Sequence, residues 1–301
     1  MKIGIDVGGS HIGLGIIDKT GRLILKKEKD YEKIESNMSQ IVINTIKELI
    51  YDVLNEKQIT IKEIESIGMA FPGTVSNGVV IKAENLGIEN LKIEQELKKE
   101  FNVKIALEND AKCAAIAEKE YGSLKEYKDS LFVIIGTGVG GAAILDSKLL
   151  RPKRNSGFEF GHMVIKKDGE RCNCGRNGCF EVYGSIKRFK LKIKEMFNLP
   201  SIDGKMIRQF MIENQSNEEL NKMIDEYIEN IVLGFANLIN IFEPQAISIG
   251  GSFGHYKDLL LPKLLKKLEE KTEVYNKDDI PKILIAELKN DAGIIGAAMQ
   301  I

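Results

Sequence analysis

Two stretches of the chain share one pattern: a β-type run, a glycine-rich turn, and a second β-type run that ends in aspartate. Gly8 precedes Asp18 in "KIGIDVGGSHIGLGIID" at the same distance as Gly136 precedes Asp146 in "FVIIGTGVGGAAILD". Glycine allows unusual backbone dihedral angles and close approach to a ligand, so such turns can present N–H groups to phosphates. Either hairpin alone is best read as an ordinary turn, but together they indicate an internal duplication with similar hairpins on opposite sides of a cleft.

Neither hairpin has the signature of a common nucleotide-binding motif. The Gly-Lys-Ser/Thr ending of a P-loop is absent, and each turn leads into a strand instead of opening a helix. A further glycine pair, Gly250-Gly251, ends the strand-like run "PQAISIGG" ahead of a helical stretch. A nucleotide can lie against the backbone at such a junction, and a plain strand–helix turn explains the pair equally well.

The length of the chain predicts two lobes. Single hydrophobic cores stop growing near ~250–300 residues, and this chain has 301. We expect a small N-terminal lobe over residues 1–120, to which a helix at 288–301 returns, and a larger C-terminal lobe over 121–287 that contains a cysteine-rich loop. A cleft between the lobes follows from this division.

Hydrophobic periodicity predicts an α/β fold with a mixed sheet. The first hairpin and "GRLILKKEKD" form an antiparallel meander, whereas "IESIGMAFPG" and "VKIALEND" are strands within strand–helix units. Helices are expected over 37–55, in "AKCAAIAEKEYG", and near 256–272. A long amphipathic helix should follow a capping box formed by Ser216 and Glu219.

Charge and hydropathy exclude some partners. Lysine and arginine number 43 against 44 for aspartate and glutamate, a net charge of -1, so the chain lacks the basic field that holds nucleic acid phosphates. The start "MKIGIDVGGS" has no apolar signal core, and no run approaches the ~20 apolar residues of a membrane helix. We therefore expect a cytoplasmic protein that binds neither nucleic acid nor membrane.

Three of the four cysteines lie within the stretch "CNCGRNGC", residues 172–179. A Cys-x-Cys pair is too short to bridge without strain and a third thiol would be left over, so disulfides explain the cluster poorly. Thiols also stay reduced in the cytosol. A closed structural zinc site needs four ligands, so the cluster predicts zinc with a fourth donor from elsewhere in the chain. The candidates are Cys113, His11, His162 and His255.

Two aspartates stand where chemistry is possible. Asp110 follows Asn109 in "LEND", where a buried strand gives way to a helix, the end of the sheet at which α/β proteins place functional groups. A helix cap is the favoured interpretation of Asp110 from the residues alone. Asp6, beside the first glycine turn, either caps that turn or holds a magnesium ion directly or through water.

The combination of "DVGGSHIGLGIID", "AFPG", "LENDAKCAA", "GTGVGGAAI", "GFEFGH", "CNCGRNGCFE" and "NDAGIIGAA" resembles the ROK family of sugar kinases and sugar-responsive repressors, which has the two-lobed actin-like ATPase (ribonuclease H-like) fold. The resemblance spans residues 4–298 in consistent order. It places the active site in the interlobe cleft and suggests a homodimer. Repressors of the family carry a DNA-binding domain before the first hairpin, which here begins at residue 3, so we expect a member of the kinase branch.

The resemblance also implies roles for individual residues. Asp110 matches the catalytic base, and His162 matches the fourth zinc ligand beside Cys172, Cys174 and Cys179. The sugar-binding positions are Gly73, Asn109, Asp110, Glu159, His162 and Glu181. The positions expected to bind Mg-ATP are Asp6, Gly8, Gly9, Ser10, Gly136, Thr137, Gly138, Gly250 and Gly251. The sequence departs from the family at two positions: His11 replaces a residue that is often lysine, and Lys112 stands where asparagine is common.

These roles imply an ATP-dependent kinase that transfers the γ-phosphate to the 6-hydroxyl of an aldohexose. Glucose is the leading substrate, and N-acetylmannosamine or another N-acylhexosamine is the alternative. A catalytically silent sugar-sensing regulator is a second class of function, and a small zinc-binding adaptor would account only for the cysteine cluster. If Gly138 lines the phosphate site, a bulky residue there should raise the KM for ATP far more than the KM for sugar.

Overall fold

Residues 1–32, 37–152, 158–271 and 280–300 are described by a computed structural model of the chain. The fold divides into two units. Unit 1 comprises Met1–Lys125, Leu149–Gly157 and Leu288–Ile301, and unit 2 comprises Glu126–Lys148 and Phe158–Glu287. The domain limits expected from the sequence, 1–120 with 288–301 and 121–287, stay a prediction.

Unit 1 is built on a five-stranded mixed sheet. Its strands and those of a small three-stranded sheet are β1 (Lys2–Val7), β2 (His11–Ile17), β3 (Leu23–Asp30), β4 (Ser66–Phe71), β5 (Thr74–Ser76), β6 (Val79–Ala83), β7 (Ile88–Leu91) and β8 (Lys104–Asn109). The large sheet has the order β3-β2-β1-β4-β8, and β5, β6 and β7 form the small one. As predicted, β1, β2 and β3 form an antiparallel meander, while β4 and β8 run parallel to β1.

Three helices of unit 1 are α1 (Met38–Lys57), α2 (Ile93–Lys98) and α3 (Asp110–Tyr121). The predicted helix over 37–55 is α1. Its side chains Val42, Ile46, Leu49 and Val53 recur every three or four residues and are buried in the core that includes the sheet. The helix ends at Gln58, which adopts the left-handed conformation.

Unit 2 repeats the arrangement of the first sheet. Its strands are β9 (Ser130–Ile135), β10 (Val139–Leu145), β11 (Lys148–Leu149), β12 (Ala246–Gly250) and β13 (Lys282–Ile285), in the order β11-β10-β9-β12-β13. The hairpin of β9 and β10 is antiparallel and β12 runs parallel to β9, as β4 runs parallel to β1. The two similar hairpins predicted from the glycine spacing are therefore confirmed.

The helices of unit 2 are α4 (Phe180–Gly184), α5 (Ile186–Met196), α6 (Gly204–Glu213), α7 (Glu218–Phe242) and α8 (Lys257–Lys271). The predicted capping box of Ser216 and Glu219 is wrong, because Asn217 caps α7 and accepts a hydrogen bond of 2.9 Å from Leu220 N. The helix expected near 256–272 begins one residue later after a 3-10 turn, and residue 272 lies outside the described residues.

A short helix near the end of the chain, α9 (Ala292–Ala298), packs inside unit 1. A Cβ on Gly68 of β4 would lie 1.7 Å from the carbonyl oxygen of Ala297, and a Cβ on Gly296 would lie 1.7 Å from that of Cys113. Only glycine permits these approaches of one backbone to another at Gly68 and Gly296. The helix expected over 288–301 is shorter than predicted because Lys289–Asp291 forms a 3-10 turn, and residue 301 lies outside the described residues.

A single added methyl group should test this packing. We expect Gly68→Ala to lower the unfolding temperature by roughly 3–10 °C, because overpacking costs about 1–3 kcal/mol and each kcal/mol shifts a chain of this size by ~2–4 °C. Gly204→Ala is the matched control, because the nearest atom to its Cβ would be 3.6 Å away. Thermal denaturation of both variants by circular dichroism is the measurement, and equal midpoints would contradict the close approach.

Glu118 accepts hydrogen bonds from two segments of unit 1 that are far apart in the sequence. Its side chain is fully buried at the end of α3. One carboxylate oxygen accepts from the backbone and the hydroxyl of Ser123, and the other accepts from Leu288 N, all at 2.8 Å. The segment that leaves unit 1 near Lys125 and the one that re-enters it at Leu288 are thus both held by one carboxylate.

Within these described ranges, no helix is both long enough and apolar enough to cross a lipid bilayer.

Candidate functional site

The first hairpin turn of unit 1, Gly8–Ser10, joins β1 to β2. Gly8 N donates to His11 O at 2.9 Å, and Gly9 and Ser10 are exposed to solvent. Tyr31, the residue after β3, donates two hydrogen bonds to this turn. Its hydroxyl donates to Gly8 O, and its backbone N donates to Ser10 O at 3.0 Å. Sequence reasoning missed Tyr31, although continuing the register that pairs His11 with Asp30 brings it opposite Ser10.

Removing this hydroxyl should loosen the first turn. If the first turn binds ATP phosphates, as the resemblance implies, Tyr31→Phe should weaken binding of an ATP analogue by roughly 3–10-fold, because a hydrogen bond contributes about 0.5–1.5 kcal/mol and its loss leaves Gly8 O without that donor. Tyr51→Phe is the control, since the hydroxyl of Tyr51 donates to Glu100 on the surface. Isothermal titration of both variants measures the effect, and equal affinities would exclude a role for Tyr31 in shaping the turn.

The second hairpin turn, Gly136–Gly138 of unit 2, joins β9 to β10. Gly136 N donates to Gly138 O at 2.9 Å, and Gly136 O accepts from Lys187 N at 3.1 Å. The pair Gly250-Gly251 lies beside this turn: Gly250 is in register with Ile134 of β9, and a Cβ on Gly136 would lie 3.7 Å from Ser252 N. Gly251 has a φ of 76°, a conformation that favours glycine. Unit 2 therefore brings two of the three predicted glycine sites together.

Glu181 contacts the second turn directly. Its Oε2 accepts a hydrogen bond of 3.0 Å from Val139 N, and a Cβ on Gly138 would lie 2.3 Å from the same oxygen. A bulky residue at Gly138 would therefore displace the carboxylate of Glu181, to which the resemblance gives a sugar-binding role, so its expected effect on KM is not confined to ATP.

In unit 1 the candidate base stands at a strand–helix junction. Asn109, not Asp110, is the N-cap of α3: its Oδ1 accepts from Lys112 N at 3.2 Å, and its Nδ2 donates to Gly73 O at 3.0 Å. The cap interpretation of Asp110 is therefore wrong. Asp110 is the first residue of the helix, where its Oδ1 accepts from Ala111 N at 2.8 Å. Asn109, the neighbour of Asp110 in the chain, thus holds the Gly73 loop close to Asp110.

Asp6 and Asp110 influence one another electrostatically. Burial, together with the negative charge of Asp110, raises the pKa of Asp6 to about 7, and the positive charge of Lys26 opposes the shift. A Cβ on Gly293 of α9 would lie 2.3 Å from Asp6 Oδ2, so this carboxylate lies against the last helix. A buried carboxylate whose pKa is raised by a neighbouring carboxylate suits a divalent cation, because the positive charge favours the ionised form.

Glu108 is a buried carboxylate two residues before Asp110 that sequence reasoning missed. Its Oε2 accepts from Arg151 Nε at 3.0 Å, and its Oε1 accepts from Asn109 N at 3.0 Å. The ion pair of Glu108 with Arg151 therefore holds the end of β8, and no local sequence motif indicates Arg151 as the partner.

The two departures from the family pattern differ in exposure. Lys112 is buried, whereas His11 is exposed beside Gly8.

The predicted zinc ligands come together in unit 2. The ligand atoms of His162, Cys172, Cys174 and Cys179 all lie within 4.8 Å of one another. His162 Nδ1 is 3.7 Å from Cys172 Sγ, and the sulfurs of Cys174 and Cys179 are 3.6 Å apart. Zn–S bonds of about 2.3 Å in a tetrahedron separate the sulfurs by roughly 3.8 Å, so the donor set and its spacing fit zinc.

Two thiols of this cluster ionise differently. The backbone N–H of Arg176 lowers the pKa of Cys174 to about 6, so this sulfur is largely thiolate at neutral pH. Burial raises the pKa of Cys179 to about 12, so this thiol would release its proton on metal binding.

The cluster positions the predicted sugar ligands of unit 2. His162 N donates to Glu159 O at 3.0 Å within one 3-10 turn, and the side chain of Glu159 is exposed. Phe180 N donates to Met163 O at 2.7 Å, and Cys179 is the N-cap of α4, on which Glu181 lies. Because Nδ1 of His162 faces the sulfurs, Nε2 is the nitrogen left for another ligand.

Known proteins resemble this chain over nearly its whole length. A glucokinase of Thermotoga maritima is 28% identical over 313 residues, covering 99% of this chain and 96% of that protein, and a xylose repressor of Caldicellulosiruptor bescii is 26% identical over 313 residues, covering 99% and 77%. A ROK hexokinase structure from Thermus thermophilus has a TM-score of 0.82 at 25% identity, covering 99% of this chain and 96% of that one. The fold is accordingly that of the actin-like ATPases. Residues 2–301 match the ROK family model, and the chain therefore belongs to the ROK family.

Proposed function

We propose that the protein is an ATP-dependent hexose kinase that phosphorylates the 6-hydroxyl of an aldohexose, with glucose as the leading substrate. The observation that carries the proposal is the junction of β8 and α3. There, Asp110 begins the helix beside Asn109, which itself holds the Gly73 loop. A carboxylate fixed at this end of a parallel strand suits the abstraction of a proton from a bound hydroxyl.

In the proposed reaction Asp110 accepts the proton of the 6-hydroxyl as that oxygen attacks the γ-phosphorus in line. The bond from the γ-phosphorus to the β,γ-bridging oxygen breaks, and ADP leaves. Backbone N–H groups of the turns Gly8–Ser10 and Gly136–Gly138 bind phosphate oxygens, and the glycines of Gly250-Gly251 leave room for the nucleotide. Asp6 would hold the magnesium ion of Mg-ATP directly or through water, and the ion would neutralise charge that develops on the phosphate oxygens. Burial and the charge of Asp110 raise the pKa of Asp6, and a nearby cation would favour its ionised form.

The sugar hydroxyls are bound in this proposal by acceptor groups. Glu159 and Glu181 offer carboxylate oxygens, Asn109 offers an amide, and His162 offers Nε2. A zinc ion held by His162, Cys172, Cys174 and Cys179 would fix the ring orientation and tautomer of His162. The metal is structural in this scheme, and the zinc-ligating residues take no part in proton transfer.

A second function is favoured by one observation: the similarity to the xylose repressor covers 99% of this chain. A sugar-sensing regulator would bind sugar without turnover. Among enzymes, an N-acylhexosamine kinase, for example for N-acetylmannosamine, is the alternative substrate class, because recognition at C2 depends on pocket shape. We further propose a homodimer, which the likeness to the family supports.

One experiment separates these possibilities. Steady-state kinetics with ATP over glucose, mannose, fructose, allose, N-acetylglucosamine and N-acetylmannosamine should give the highest kcat/KM for glucose. A preference for an N-acetylated sugar would replace the proposed substrate but keep the kinase. Sugar binding by calorimetry with no ATP consumption for any of the six would favour the regulator.

A further inference from the structure

The structure gives Glu181 a contact that sugar binding does not require. Glu181 lies in the first turn of α4, two residues after Cys179. Its carboxylate reaches the second hairpin turn and accepts a hydrogen bond of 3.0 Å from Val139 N, the first residue of β10. The two residues are far apart in the sequence, so the contact is tertiary.

The second turn is shaped to receive this carboxylate. A Cβ on Gly138 would lie 2.3 Å from Glu181 Oε2, so a side chain at position 138 would push the carboxylate out of its present place. Glycine at position 138 therefore leaves the space that the oxygen occupies. The same turn is braced on its other side, where Gly136 O accepts from Lys187 N at 3.1 Å. Because Glu181 and Lys187 belong to the consecutive helices α4 and α5, one segment of chain holds both ends of the turn.

A carboxylate can make both contacts at once. It has two oxygens with about four acceptor sites, and the hydrogen bond to Val139 N occupies one of them on Oε2. The Oε1 atom remains available to accept from a sugar hydroxyl. One side chain can thus hold the phosphate-binding turn and the acceptor sugar in fixed register.

We infer that Glu181 is a positioning residue for the second phosphate-binding turn, and that it orders this turn for nucleotide even before sugar binds. This inference rests on the proposed kinase function. It goes beyond the role of Glu181 as a sugar ligand, because that role alone predicts no effect on nucleotide binding in the absence of sugar. Hydrogen bonds to charged groups are stronger than neutral ones, so loss of this bond should be measurable.

The test is isothermal titration of the zinc-loaded protein with a non-hydrolysable ATP analogue and Mg²⁺, without sugar. We expect Glu181→Ala to weaken binding by about tenfold. Glu181→Gln keeps an acceptor oxygen of nearly the same reach and should recover most of that loss. Glu195→Ala is the matched control: Glu195 is exposed on α5 and belongs to none of the proposed ligand sites, so its removal should leave sugar-free nucleotide affinity unchanged.

Each result decides the inference. Unchanged or tighter nucleotide binding in Glu181→Ala overturns it, as does a Glu181→Gln variant that binds as weakly as Glu181→Ala. Circular dichroism and the zinc content of each variant show whether the fold is retained. If Glu181→Ala loses its fold or its zinc, Glu181→Gln is compared with Glu181→Asp, whose shorter side chain should not reach Val139 N. If the unaltered protein binds no nucleotide, the proposed kinase function fails, whatever the variants do.

Discussion

Replacing Asp110 by asparagine is expected to lower kcat by roughly 10²–10⁴, the usual contribution of general base catalysis, while sugar still binds. Asparagine retains the size of the side chain and an oxygen that can accept from Ala111 N, as Asp110 Oδ1 does at 2.8 Å. The start of α3 should therefore stay folded. Single-turnover and steady-state kinetics with saturating ATP and sugar are the measurement.

The matched control for this variant is Asp203→Asn. Asp203 also stands at the start of a helix, where its Oδ1 accepts from Lys205 N and Met206 N at 3.0 and 2.9 Å. This change should leave kcat unaltered, because Asp203 belongs to none of the proposed ligand sites. Near-normal turnover in Asp110→Asn would exclude Asp110 as the base.

The second large effect concerns the metal cluster. We expect Cys174→Ala to lose zinc, because a closed structural site needs four ligands, and to weaken sugar binding by about 10–100-fold. His162 would lose its fixed orientation, and the loop that carries Glu159 and Glu181 would lose its anchor. Nucleotide affinity should fall by a smaller factor. Loss of zinc would weaken the hydrogen bond from Val139 N to Glu181, and the second turn would then be less well ordered.

Zinc content by mass spectrometry and calorimetric titration with sugar and with an ATP analogue test this expectation. Cys113→Ala is the control, because Cys113 is the one cysteine outside the cluster and is buried with Ala70 and Ala297 in unit 1. That variant should keep its zinc and its sugar affinity. If sugar affinity is unchanged in folded, zinc-depleted Cys174→Ala, then the cluster does not shape the sugar site.

Features encoded in short stretches of sequence could be predicted. The glycine spacing of the two hairpins gave the strand pairing of β1 with β2 and of β9 with β10, because a turn fixes the register of its own strands. The cysteine spacing in "CNCGRNGC" likewise predicted a metal cluster, which the four ligand atoms within 4.8 Å support. Both inferences depend on residues that are neighbours along the chain.

Contacts between distant segments could not be predicted. The hydrogen bonds of Glu181 with Val139 and of Glu108 with Arg151 join residues whose proximity is set by the packing of whole elements. Two predictions of helix N-caps were wrong for a local reason. Asn109 caps α3 in place of Asp110, and Asn217 caps α7 in place of Ser216. Several neighbouring residues with similar capping strength leave the choice to the surrounding structure.

The glycine-lined packing of α9 has a consequence for synthesis on the ribosome. Every residue of α9 is buried, and the helix closes the core of unit 1 against β1 and β4, which are made near the beginning of the chain. All of unit 2 is translated before α9 emerges. We therefore expect unit 2 to complete its fold first, the reverse of the usual vectorial order, while a nascent unit 1 presents an uncovered apolar sheet face of the kind that chaperones bind.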